Sequence, residues 1–275
     1  LALVAFAGFP LGDAVIKSMA GDWPAQAVAA LRFSIGAVAL AIILFVREGS
    51  SGFRVNRPWL HIARGFTLFV GTITFFSAIY IMPLADAVAI TALFSGWFLK
   101  EKMRPGTWVA TIIAFGGVLI MLRPNVAAFG WVAVLPLISA FSMATMLILN
   151  RMVSTGRSIF AAQFYIAFWA AIFLIIATVI GHLFVPVMTV PGIPNWDVVL
   201  RCILVALTAT GCHFLLYMAT MRTTAAAIAP IVYIQLLIAT LISVFVFGDP
   251  IDRTAMMGGL LLWRSERRLA PVVEA

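Results

Sequence analysis

The chain has 275 residues, of which 64% are hydrophobic and only 10% charged, with a formal charge of +8. A soluble domain carries roughly 25% charged residues, so a mean hydropathy of +1.12 excludes a water-exposed globule and implies a polytopic membrane protein. The basic residues stand singly between apolar runs, which excludes a nucleic-acid footprint and suits loops facing membrane lipids with anionic headgroups.

A helix needs about 20 apolar residues to cross the hydrocarbon. On that ruler, spans fall at 1–20, 24–46, 58–81, 83–99, 107–122, 130–150, 158–184, 198–220, 223–247 and 254–263. The sequence therefore predicts an all-α integral membrane protein with ten transmembrane helices, five in each half. The first span opens on an apolar run without Met, so the natural start is expected to precede Leu1, and no cleavable signal peptide is read.

In the first two spans, Asp13 and Arg32 each lie roughly 12 Å from the outer surface at 1.5 Å per residue. Either charge alone in lipid costs several kcal/mol. They are expected to pair as an inter-helix clamp, with a coupling site as the alternative. Lys17, one turn from Asp13, is placed to share it. In the third span, His61 and Arg64 lie near one membrane face and are expected to snorkel to the headgroups.

The fourth span begins the stretch Met82–Met103, whose relative returns at Met221–Ile251. Met82 matches Met221 and Ala87 matches Ala226 at an offset of 139, whereas Leu93 matches Leu241 and Ser95 matches Ser243 at 148. The first copy is thus nine residues short between Ile90 and Thr91. The Arg123–Arg264 match implies a further shortfall of seven between Gly259 and Leu260. A deletion inside a spanning helix strands backbone groups in lipid, so residues missing from the chain are expected at both junctions. The repeats divide the chain into 1–127 and 128–275.

Lys and Arg collect at cytoplasmic ends. With the N-terminus inside, the inner stretches hold twelve of them, from Arg47 to Arg268, and the outer stretches only Arg123 and Arg253. Both termini then lie in the cytoplasm. An odd helix number per half makes the two repeats inverted, an arrangement used by transporters.

The second half supplies Gln163 and Trp169 in the seventh span, His213 and Tyr217 in the eighth, and Tyr233 and Gln235 in the ninth. The offset of 139 makes Thr74 the equivalent of His213. If the halves are related by an axis in the membrane plane, equivalent faces converge on one cavity. Thr74, Trp169, His213, Tyr217, Tyr233 and Gln235 are therefore expected to line a substrate site: rings to stack on a flat solute, and an amide for its polar end. Proton coupling has His213, Asp13 and Asp86 available, with Asp86 read as a mouth residue in water. Cys202 and Cys212 read as buried thiols. Neither metal-ligand spacing nor a P-loop is present, so no metal, nucleotide or other cofactor is expected.

Pro24 with Ala30–Phe33, Arg64–Gly65, Met82–Ile90, Leu99–Met103, Gly116–Ile120 and Ala225–Pro230 recur in an order and spacing that resembles the drug/metabolite transporter superfamily, in its ten-helix EamA-like form. The family's usual proline in the fourth helix is absent here. Within the superfamily the chain looks most like bacterial aromatic amino-acid exporters. The resemblance implies a secondary transporter of the bacterial inner membrane, exporting small neutral or aromatic amino acids or related metabolites by alternating access. An exporter of hydrophobic drugs is the alternative. A lipid-modifying membrane enzyme would need a nucleophile, base or metal cluster near one interface, and histidines scattered at 61, 182 and 213 supply none.

Overall fold

The structure is a computed structural model and describes residues 1–98, 127–153, 158–222, 231 and 233–249. Proline and glycine set many of the helix ends. Pro24 is the extended N-cap of α2, Pro58 opens α3, and Gly49 and Gly248, both at positive φ, follow α2 and α8. Ser158 starts α6 by accepting the Ala161 amide at 3.1 Å. The described residues hold α1 (Ala2–Lys17), α2 (Ala25–Glu48), α3 (Pro58–Ile79), α4 (Leu84–Phe98), α5 (Leu135–Val153), α6 (Ile159–Phe184), α7 (Trp196–Arg222) and α8 (Tyr233–Phe245). The spans predicted at 107–122 and 254–263 lie outside them.

Five helical runs are long and apolar enough to cross a bilayer: Ala25–Phe53, Pro58–Ile79, Ala127–Asn150, Ile159–Phe184 and Trp196–Ala219. Their outward faces are apolar, with Val46, Leu183, Phe184 and Leu207 exposed. Contiguous apolar surface of this extent needs a hydrocarbon cover, so the chain is an integral membrane protein.

The two halves interleave. α1 packs chiefly against α7 and α8, α2 against α6 and α7, α3 against α5 and α6, and α4 against α5 and α8. These pairings close a ring in which first-half and second-half helices alternate. Exchanging α1 with α5, α2 with α6, α3 with α7 and α4 with α8 maps the set of pairings onto itself. Small residues permit the closest crossings. A Cβ on Gly65 would collide with the Trp169 Cβ, and one on Gly8 would collide with the Cys212 Sγ.

Described helix ends meet in two layers. One layer joins Lys17 to Asp249 at 3.0 Å and to the Met82 carbonyl at 3.3 Å, and Arg201 to Asp22 and Asp197. In the other, the Ser158 hydroxyl donates to Glu48 and the Tyr165 hydroxyl to the Phe53 carbonyl.

One expectation is corrected. α4 runs unbroken through Ile90 and Thr91, where the Thr91 hydroxyl donates to the Ala87 carbonyl at 2.8 Å. The expected break at this junction is not seen. The Gly259–Leu260 junction lies outside the described residues.

Candidate functional site: a central chamber between the halves

The ring encloses two adjoining cavities. The larger measures about 150 Å³, on a scale where one water needs roughly 10–15 Å³, so it has room for a small organic molecule. Its walls are apolar, with Phe6, Phe9, Phe75, Phe76 and Met143 prominent, and its polar groups are Asp13, Arg32, Thr72, Thr91, Ser139, His213 and Gln235. The smaller, about 30 Å³, is lined by Arg64, Asn150, Gln163, Thr210 and Tyr217 among others. Arg32, Met146, His213 and Leu216 face both and form the partition between them.

α2 brings Arg32 to the partition with its side chain buried. The guanidinium carbon lies 4.0 Å from the Phe33 ring centre and 5.3 Å from that of Phe76. Its Nε has no hydrogen-bond partner among the described residues. The expected Asp13–Arg32 clamp is not formed: among the described residues no carboxylate oxygen lies within 4.0 Å of Arg32. Lys17 does not share Asp13 either. It is drawn away by Asp249, which also accepts from the Ser243 hydroxyl at 2.7 Å, and it sits 4.9 Å from the Phe247 ring centre. A carboxylate at the membrane end competes better for Lys17, because the lysine stem reaches toward water. Asp13 and Arg32 thus face one chamber without touching. Pro10 in α1, lacking an N–H, also leaves the Phe6 carbonyl without its helical donor on this wall.

His213 lies on the partition with its ring edge-on to Phe9, centroids 4.9 Å apart. Gln235 lines the larger cavity and Tyr217 the smaller. Thr74 lines neither, and its hydroxyl donates to the Val70 carbonyl at 2.7 Å. Thr72 takes the chamber face of α3 instead. Trp169 also lines neither: it is wedged at the α3–α6 crossing against Gly65, beside Phe168 and Phe173. The side chain of Tyr233 lies outside the described residues.

Arg64 and His61 do not snorkel. Arg64 is fully buried and donates to Asn150 Oδ1 at 2.7 Å and to the Ala162 carbonyl at 3.1 Å. His61 is buried with its ring 5.4 Å from that of Tyr165. Asp86 is buried rather than bathed at a mouth. Asn150, which reasoning from sequence left unremarked at the end of a span, ties Arg64 of α3 to α5. Its polarity inside an apolar run was the available signal. Among the described residues no group of three His, Cys, Asp or Glu side chains is arranged to hold a metal.

The EamA-like transporter family matches residues 1–123 and again 130–263. An S-adenosylmethionine uptake transporter of Rickettsia bellii is 26% identical over 86% of this chain and 80% of its own length. A pseudopaline exporter of Pseudomonas aeruginosa is 27% identical over 66% of this chain and 63% of its own. A riboflavin transporter of Rhizobium johnstonii shares 31% identity over 34% of this chain and 33% of its own. One solved crystal structure superposes with a TM-score of 0.67 at 16% identity, covering 96% of this chain and 92% of that one, and so shares the fold.

Proposed function

The chain belongs to the EamA-like transporter family, and from that premise we propose that it carries small neutral or aromatic amino acids, or related metabolites, by alternating access to the central chamber. Membership makes it a transporter and sets aside the lipid-modifying enzyme. The observation that carries the narrower reading is the chamber itself, an aromatic and aliphatic pocket with a few separated polar groups between two interleaved halves. Mostly apolar walls with a handful of placed polar groups are what a small-solute site requires. Rocking one half against the other then exposes the chamber to each side in turn.

In this reading the full chain has ten transmembrane helices in two inverted repeats, 1–127 and 128–275. It sits in the bacterial inner membrane with both termini in the cytoplasm, following the bias of Lys and Arg. The working direction is export, as the resemblance to amino-acid exporters implies. Relatives named for uptake and for export are both compatible with a site that works in either direction along its gradients. Export of hydrophobic drugs is the second reading. A wall that carries both a guanidinium, Arg32, and a carboxylate, Asp13, is a costly surface for a wholly apolar solute, which weighs against it.

The test is counterflow in proteoliposomes with a panel of labelled amino acids. Accumulation of at least one neutral or aromatic member above protein-free liposomes is expected. If none exchanges while lipophilic cations do, the drug reading replaces this one. Uptake into inside-out vesicles, absent from right-side-out ones under the same gradient, is the result expected for export.

A further inference from the structure

We propose that Arg32 is the carboxylate anchor of the chamber and Asp13 the partner for an ammonium group, so that the site is built around an α-amino-acid zwitterion. This rests on the chamber being the transport site.

Three other basic side chains, Arg64, Arg201 and Lys17, hold polar partners. Arg64 donates to Asn150 and to the Ala162 carbonyl, Arg201 meets two carboxylates, and Lys17 is held by Asp249. Arg32 differs. It is 6% exposed, yet its close neighbours are ring faces, Phe33 at 4.0 Å and Phe76 at 5.3 Å. Rings satisfy the flat face of a guanidinium and fix its plane. They leave its N–H edge unsatisfied, and among the described residues Nε has no partner. A buried donor edge of that kind is costly unless something accepts from it. The edge belongs to a residue on the wall of both cavities, and its natural complement is a carboxylate bound through two parallel hydrogen bonds.

Asp13 completes the argument from the opposite sign. It lies on the same chamber wall, and Lys17, the cation that would neutralise it from one turn away, is committed to Asp249. A chamber holding a carboxylate and a guanidinium that do not bond each other matches a net-neutral solute with separated charges. A phosphate dianion would gain Arg32 but be repelled by Asp13. Phe6, Phe9 and Phe75 then offer their surface to the solute's side chain.

The experiment uses the full chain in proteoliposomes, exchanging labelled phenylalanine or leucine against unlabelled competitors. Phenylalaninamide removes the carboxylate and 3-phenylpropionate removes the ammonium. Each is expected to compete roughly tenfold or more worse than phenylalanine, as loss of a buried charge-assisted pair demands. Arg32→Gln should erase the preference for phenylalanine over its amide, Arg32→Lys should keep part of it, and Asp13→Asn should erase the preference over 3-phenylpropionate. The analogue series on the unaltered chain decides the matter even if a variant fails to fold. Exchange of amino acids that is indifferent to the carboxylate overturns the anchor and leaves the transport reading intact. Absence of any amino-acid exchange overturns both.

Discussion

Arg64 shows what a charge needs in order to live inside this bundle. Its guanidinium is fully buried, and it is stabilised by an amide oxygen 86 positions away and a carbonyl 98 positions away. A hydrogen bond to a charged group contributes about 1.5–3 kcal/mol. Asn150→Ala is therefore expected to lower stability by about 2 kcal/mol, read as thermal unfolding in detergent. Replacing both partners with apolar residues, Arg64→Met with Asn150→Leu, should restore most of that loss, because no buried charge is left uncompensated. Asn150→Ala melting together with the unaltered chain would show that the contact contributes nothing. The sequence placed Arg64 near a span end and so suggested snorkelling. Its real partners come from α5 and α6, and no local pattern announces contacts at that separation. The same limit explains Thr74. A repeat offset aligns positions but not the rotation of a helix, and two residues turn a helix by roughly 200°, which puts Thr72 on the chamber and Thr74 off it. His213, Gln235 and Tyr217 were legible because a polar group deep in an apolar run has few places to go except inward.

At the scale of the helix, boundaries were the most legible feature. The expected span 58–81 is α3 at Pro58–Ile79, and 158–184 is α6 at Ile159–Phe184. Proline, glycine and the thickness of the hydrocarbon fix such ends with little help from tertiary structure. The expected span 130–150 starts late, because the 3-10 turn Gly130–Val134 precedes α5 at Leu135. Crossings were less legible, since they depend on which glycine meets which neighbour. Gly65 faces the Trp169 Cβ and the Ala170 amide, whereas Gly211 has nothing within 4 Å. Alanine at these two positions should act with opposite sign. Gly65→Ala overpacks the α3–α6 crossing against the Trp169 Cβ and the α6 backbone and should cost about 1–3 kcal/mol. Gly211→Ala should raise stability by up to about 1 kcal/mol, through the lower conformational entropy of the unfolded chain. Melting temperatures in one detergent test both. Two shifts of the same sign would contradict the packing described for α3 and α6.

For the whole molecule, the alternating access proposed above puts the control of motion in the two end layers of the interleaved ring. A half can rock only if the contacts closing one layer open while those of the other hold. Lys17 and Asp249 close one layer, joining the end of α1 to the turn after α8, with side chains 14% and 24% exposed. A partly exposed ion pair contributes at most about 1 kcal/mol. Removing it should therefore shift an open–closed balance by up to roughly fivefold, given that 1.4 kcal/mol corresponds to tenfold. The expected reporter is a thiol on the chamber wall: Thr72→Cys in a chain whose Cys202 and Cys212 are alanine, labelled by a membrane-impermeant maleimide from either side. Asp249→Asn should raise the labelling rate from the Lys17 side by a few-fold. It should lower labelling from the Glu48–Ser158 side, because a chamber open more often to one side is open less often to the other. Lys17→Met should reproduce the effect without adding to it, since either change removes the same pair. Labelling that rises from both sides would mean the bundle has loosened. Labelling unchanged from both would mean that Lys17 and Asp249 close no passage to the chamber.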